Sequence, residues 1–166
     1  MISPPSRVYL LALLIKLAHT SSTHGPEGYI TTDPAQITAS QERLDRKLKS
    51  AVPAFSFYST IEEPRADTLV LTYGVTARAA RDVVEELNRG GFPVSLLALK
   101  TLWPVPKELI RSMAGPHQRI VVFEMNMGQY VREIERVLPG KEIVFYGQMN
   151  GDLIPPAKIK EVLTNG

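Results

Sequence analysis

"TLVLTYGVTARAARDVVEELNRGGFPVSLLALKTL", Thr68 to Leu102, decides the fold class. It opens with an apolar run that stops at Gly74, continues as the amphipathic helix "ARAARDVVEELNRGG", and closes with a second apolar run. The same alternation repeats downstream. Pro104 and Pro106 lead into a short helix, "KELIRSMAG", and "RIVVFEM" reads as the next strand. "GQYVREIERVLPG" carries Val131, Ile134 and Leu138 in helical phase, "KEIVFYG" is a fourth strand, and "PPAKIKEVLTNG" is a last helix. Strands that are apolar on both faces, alternating with helices, predict an α/β fold: three layers, with a mostly parallel sheet covered by helices on both faces. Residues 67–166 are expected to form this domain.

Residues 1–66 read differently, as an N-terminal segment, an arm and a linker helix. "TSSTHGPEGYITTDP" is polar and turn-rich, with no apolar period to bury. Asp33 and Pro34 then supply an N-cap and a first helical residue for a surface helix reaching to about Ser50. A short edge strand is expected at Phe55 to Tyr58. Further upstream, the uncharged run from Val8 to Ile15 is far shorter than the ~20 residues of a spanning helix. Lys16 and the poor cleavage site after His19 argue against a signal peptide, so the chain is expected to be cytoplasmic, with no membrane partner.

Composition removes several chemistries. The sequence has no cysteine, which excludes disulfides, cysteine catalysis and any iron–sulfur cluster held by this chain. Nineteen basic against 17 acidic residues give a net charge of +2, which offers no electrostatic argument for nucleic acid. His19, His24 and His117 are scattered, without metal-ligand spacing or a serine partner.

Three clusters remain. Gly74 ends a strand and Thr76 is placed to cap the next helix, a turn able to hold an anion but, with one glycine and no nucleotide-binding fingerprint, better read as an ordinary strand-to-helix connection. Trp103, between Thr101 and the two prolines, is either a packed corner or an anchor for a partner subunit. Glu124-Met125-Asn126-Met127-Gly128-Gln129 lies at a strand's carboxyl end, where ligands of open α/β sheets bind. There the backbone N–H groups of Gly128 and Gln129 would hold Glu124 as an ionised acceptor, which suits recognition better than proton transfer.

These segments, "LTYGVTARAARDVVEELNRGGFPVSLLALKTLWPVPKELI", "IVVFEMNMGQYVREIERVL" and "GQMNGDLIPPAKIKEVL", resemble the C-terminal domain of the alpha subunit of 2-oxoacid:ferredoxin oxidoreductases, the 2-oxoglutarate branch in particular. The family's strand-Gly-Ser/Thr turn is matched at Gly74 to Thr76. Its "TLWPFP"-like turn is matched at Thr101 to Pro106, and its "E-M-N-x-G-Q" segment by Glu124, Asn126, Gly128 and Gln129. His24, Gly28, Tyr29, Thr32, Asp33 and Pro34 match its arm.

The resemblance implies a transketolase C-terminal-like domain within a complex that oxidatively decarboxylates a 2-oxoacid, forms an acyl-coenzyme A and reduces ferredoxin. In such complexes thiamine diphosphate and Mg²⁺ sit on the beta subunit, and iron–sulfur clusters lie on other parts. The implied partners are therefore that thiamine-binding beta subunit, a pyrimidine-binding domain that precedes this region in the family, and, through the complex, ferredoxin and coenzyme A.

No cofactor and no catalytic residue is carried over to this chain. It is expected to be a truncated or split subunit or an isolated domain. Gly74, Thr76, Trp103, Glu124, Asn126, Gly128 and Gln129 are then candidates for an interface or a ligand-binding edge, with Tyr130 beside them. The competing expectation is a stand-alone module that binds a small anion in a single pocket, formed by the Gly74–Thr76 and Glu124–Gln129 edges.

Overall fold

The computed structural model describes residues 22–165, so the readings of Arg7 to His19 lie outside the described residues. The chain divides into two compact units, Met1–Ala51 and Val52–Gly166.

In the first unit, the described residues open with a tight turn. His24 bridges Ile30 in antiparallel fashion, Gly25 N–H donates to Tyr29 O at 2.8 Å, and Gly28 takes φ +80°. The arm is thus folded back on itself by backbone hydrogen bonds rather than by apolar burial. Helix α1 (Pro34–Phe55) starts as the sequence predicts. Asp33 Oδ1 accepts the N–H groups of Ala35 at 2.8 Å and Gln36 at 3.4 Å, with proline at the first helical position. The helix overruns the predicted end at Ser50, reaches Phe55 and takes Pro53 into its last turns.

The second unit is a five-stranded sheet in the order β1-β3-β2-β4-β5. Its strands are β1 (Tyr58–Ile61), β2 (Thr68–Tyr73), β3 (Val94–Leu99), β4 (Arg119–Glu124) and β5 (Glu142–Gly147). Four run parallel, and β1 is antiparallel to β3, pairing Tyr58 with Leu99. The edge strand therefore exists but starts at Tyr58, because Phe55 still belongs to α1. Its pairing with β3 joins Tyr58–Ile61, ahead of Asp67, to this unit.

Helices α2 (Thr76–Arg89) and α5 (Pro156–Thr164) cover one face, and α3 (Lys107–Ala114) and α4 (Val131–Val137) the other. On the first face, Val70, Leu96, Val121 and Phe123 meet Ala80, Val83, Val84 and Leu87 of α2 and Ile159 and Leu163 of α5. On the second, Leu69, Leu71, Leu97, Ile120 and Val122 meet Ile110, Val131, Ile134 and Val137. Successive strand residues point to opposite faces, which is why the central strands are apolar along most of their length, with Thr72 and Ser95 as buried polar exceptions. Spacing of i, i+3, i+4, i+7 along α2 gives it one stripe to bury. No described helix is long and apolar enough to cross a membrane.

His117 follows α3 and is buried, with Nδ1 2.8 Å from Met113 O. Burial disfavours its charged form and lowers its pKa; Lys141 acts in the same direction, against the opposing pull of the Met113 carbonyl. Above the unfolded value of ~6.5, both folded and unfolded chains hold it neutral and stability is complete. As pH falls from there toward the lower folded value, the unfolded chain takes up a proton that the folded chain resists, and stability declines. Urea midpoints at pH 7.5 and pH 5.5 should show that loss, and His117→Gln should flatten the difference between them. An unchanged pH difference in the variant would assign the slope to other groups.

Candidate functional site

The sheet reverses its winding between β2 and β4: the chain crosses from β2 outward to β3, then returns past β2 to β4. In open α/β sheets such a switch point leaves a crevice at the carboxyl ends, where nucleotides and substrates bind. Here the chain's own side chains occupy it. Glu124, the last residue of β4, is only 1% exposed. Its Oε1 accepts the N–H of Val131 at 2.6 Å, and its Oε2 accepts the N–H of Tyr130 and the hydroxyl of Tyr73, each at 3.0 Å. Asn126 Nδ2 donates to the same Tyr73 oxygen at 2.8 Å. A hydrogen-bonded plug thus ties the end of β2 to the end of β4.

This corrects the predicted partners of Glu124. The N–H groups of Gly128 and Gln129 go instead to Asn126 Oδ1, at 2.9 Å each. Gly128, at φ +83°, turns the chain so that the Asn126 side chain closes a local loop, and the next two N–H groups, at the start of α4, reach the carboxylate. Glu124 is therefore the cap of α4 from a neighbouring strand rather than an outward-facing acceptor. For the same reason α4 starts at Val131, later than the pattern from Gly128 suggested.

The plug also supports its surroundings. Tyr73 and Tyr130 stack edge to face at 5.6 Å between centroids, and Tyr130 Oη donates to Leu102 O at 3.3 Å. Burial raises the Tyr73 pKa to about 12, reinforced by the Glu124 charge and hydrogen bond; burial likewise raises that of Tyr130. Both phenols stay protonated and serve as donors. Leu102 precedes Trp103, so the plug braces the turn that carries the tryptophan. From the other side, Thr101 Oγ1 donates to Phe55 O at 2.7 Å and accepts Phe57 N–H at 3.1 Å.

Trp103, on this braced turn and followed by a cis bond to Pro104, is 75% exposed, which removes the packed-corner reading. It has company at the same edge. Val75 follows β2, Met127 follows β4, Met149 and Leu153 follow β5, and Phe57 and Tyr58 open the antiparallel β1 at that end. These seven are all large and exposed, while Phe92 and Phe145 are the only comparable residues elsewhere among the described residues of this unit.

The remaining candidates separate. Thr76 is buried and does not cap α2, whose N-cap position is Val75, with no side-chain hydrogen bond. Gly74 has φ +63° and open space around it, Gln129 is exposed, and Gly128 is buried. The Gly74 and Glu124 edges do not share the cleft that opens at this side of the sheet. An open cleft of about 880 Å³ is lined by Tyr73 and Gly74 but by nothing from residues 124–129. The sequence reading missed Gly147 of β5, whose role is steric, and the basic residues of this cleft. Only the register of β5 against β4 and of β1 against β3 brings them into place.

No group of three or more His, Cys, Asp or Glu side chains is placed to hold a metal among the described residues. Among the described residues no carboxylate or histidine cluster fits Mg²⁺, and a sequence without cysteine offers no thiolate to an iron–sulfur cluster.

Residues 66–159 match the family described as pyruvate:ferredoxin oxidoreductase core domain II. The chain is 30% identical over 146 residues to the 2-oxoglutarate synthase subunit KorA of Archaeoglobus fulgidus, covering 87% of this chain and 40% of that protein. With the KorA subunit of Methanocaldococcus jannaschii it shares 26% identity over 145 residues, covering 87% and 39% respectively. It thus spans about two fifths of the length of these curated relatives. The fold is also that of a solved 2-oxoglutarate:ferredoxin oxidoreductase from Magnetococcus marinus, at TM-score 0.77 and 21% identity, over 90% of this chain and 26% of the other. A split-gene transketolase matches more distantly, at TM-score 0.54 and 15% identity, over 66% of this chain and 40% of that one.

Proposed function

Because the chain belongs to the pyruvate:ferredoxin oxidoreductase core domain II family, we propose that it serves as a non-catalytic, assembly-directing part of the alpha subunit of a 2-oxoacid:ferredoxin oxidoreductase. The parent complex oxidatively decarboxylates a 2-oxoacid of the 2-oxoglutarate class, transfers the acyl group to coenzyme A and passes the two electrons to ferredoxin. Thiamine diphosphate, Mg²⁺ and the iron–sulfur clusters belong to its neighbours, namely the beta subunit and the other domains of the complex. The complex is cytoplasmic.

The observation that carries this reading is the carboxyl edge of the sheet. Its crevice is closed by Tyr73, Glu124 and Asn126, and its rim presents Trp103, Met127 and Val75 to solvent. A filled crevice with an apolar rim suits contact with another polypeptide better than turnover.

Co-expression with a thiamine-binding beta subunit and a pyrimidine-binding domain of the same family tests the assignment. Co-purification, and 2-oxoacid-dependent ferredoxin reduction by the completed complex alone, are the expected results. Decarboxylation by the purified lone chain would overturn it. Trp103→Ser should leave the chain's own stability within ~0.5 kcal/mol, since the indole is solvent-exposed. The same substitution should weaken association by about 2 kcal/mol, roughly thirtyfold, if the indole is a central anchor. Equal elution of variant and wild-type complexes in size-exclusion chromatography at limiting concentration would remove Trp103 from the interface.

A further inference from the structure

Beside the plugged crevice, the cleft over the end of β3 is open and basic. Its roof comes from the first turns of α2, which bury Ala80, Val83 and Val84 against the sheet and leave Arg78, Arg81 and Asp82 on the cleft side. Arg81 spans the cleft, donating through Nη2 to Ser59 Oγ on β1 at 2.9 Å, while its Nη1 lies 3.9 Å from Glu85. Lys100 enters from the end of β3, and Leu102 and Ala98 contribute apolar lining. Three cations thus stand against two carboxylates, Asp82 in the lining and Glu85 beside Arg81. Neither Arg78 nor Lys100 has an ion-pair partner among the described residues.

Three positive groups around one cleft repel each other unless an anion joins them. The start of α2 adds to that field. It has no side-chain cap, and Gly74, at φ +63° with no atom within 4 Å of a would-be Cβ, leaves the approach from the strand end open. A volume of about 880 Å³ lies within the range of small-molecule sites. Apolar lining beside two cations without ion-pair partners among the described residues, Arg78 and Lys100, favours a ligand with an organic body and a dianionic head over a bare monoanion. We propose that this cleft binds a small phosphate ester, its phosphate held by Arg78, Arg81 and Lys100 and its organic part on Ala98 and Leu102. The cleft adjoins the proposed subunit contact, since Gly74 and Leu102 line it beside Val75 and Trp103, but it is read on the chain alone, and either assignment can fail without the other.

Thermal unfolding of the full chain at low ionic strength, with phenyl phosphate, inorganic phosphate or benzoate as probes, tests this. Phenyl phosphate should raise the melting temperature with a saturable concentration dependence, inorganic phosphate less so, and benzoate least. Arg78→Ala and Lys100→Ala, both at exposed positions, should each weaken phenyl phosphate binding about tenfold through loss of a charge-assisted hydrogen bond. Arg78→Glu should abolish it. Absence of protection by phenyl phosphate, equal protection by benzoate, or unchanged binding in the Arg78 and Lys100 variants would each overturn the site.

Discussion

Glu124→Ala will cost the chain about 3–5 kcal/mol, although the residue lies where catalytic carboxylates often lie. Its two oxygens satisfy the N–H groups of Tyr130 and Val131 and the hydroxyl of Tyr73. Truncation leaves these donors without their acceptor in a region too buried for water to replace it fully. Each abandoned donor costs ~1–3 kcal/mol, more when the lost partner carries charge. The loss should be local before it is global. Amide exchange at Tyr130 and Val131 should accelerate first, because α4 loses its cap, and the Trp103 turn should loosen with it through Tyr130 and Leu102. Glu124→Gln, which keeps the size and one acceptor oxygen, should recover part of the stability. A loss below ~1 kcal/mol for Glu124→Ala in urea titrations would mean that water enters the plug and takes over the acceptor role.

The same residue shows where sequence reading stops. The strands were legible because both faces of the sheet are covered, so Leu69 to Leu71, Leu96 to Leu99 and Ile120 to Phe123 had to be apolar without alternation. Helix α2 was legible from its single stripe, and Asp33 from its place before Pro34. An acid at a strand end beside a helix start was visible too. Its orientation was not, since that depends on Tyr73, 51 residues away, and on a two-residue displacement of the donors that Gly128 and Asn126 create. Trp103 illustrates the reverse case. Proline-flanked tryptophan fits a packed corner and an anchor equally well, and only its exposure, on a turn braced from two sides, separates them. The basic cleft had no linear signature, because Ser59, Arg78, Arg81 and Lys100 meet only through the antiparallel pairing of β1 with β3 and the return of α2 across the sheet.

Gly147→Ala tests the other support of this edge, and its effect should be about 2–3 kcal/mol from one added methyl. Gly147 closes β5 opposite Glu124, and the next residue, Gln148, donates its N–H to Glu124 O at 3.0 Å. A Cβ at position 147 would stand 2.5 Å from the backbone oxygen of Asn126 and 2.6 Å from Phe145 Cζ. The ring can rotate away, since Phe145 is on an edge strand and partly exposed; the Asn126 carbonyl cannot, because the Asn126 side chain is held by the N–H groups of Gly128 and Gln129 and by Tyr73 Oη. Forcing extra volume into such a site shifts backbone and typically costs ~1–3 kcal/mol. The displaced segment is the one that carries Met127, so the variant should lose partner binding as well as stability, whereas Trp103→Ser should lose partner binding alone. Chemical-shift changes confined to Phe145 and its ring neighbours, with an unchanged urea midpoint, would show that the ring alone yields and that the Asn126 loop is not pinned as the hydrogen bonds imply.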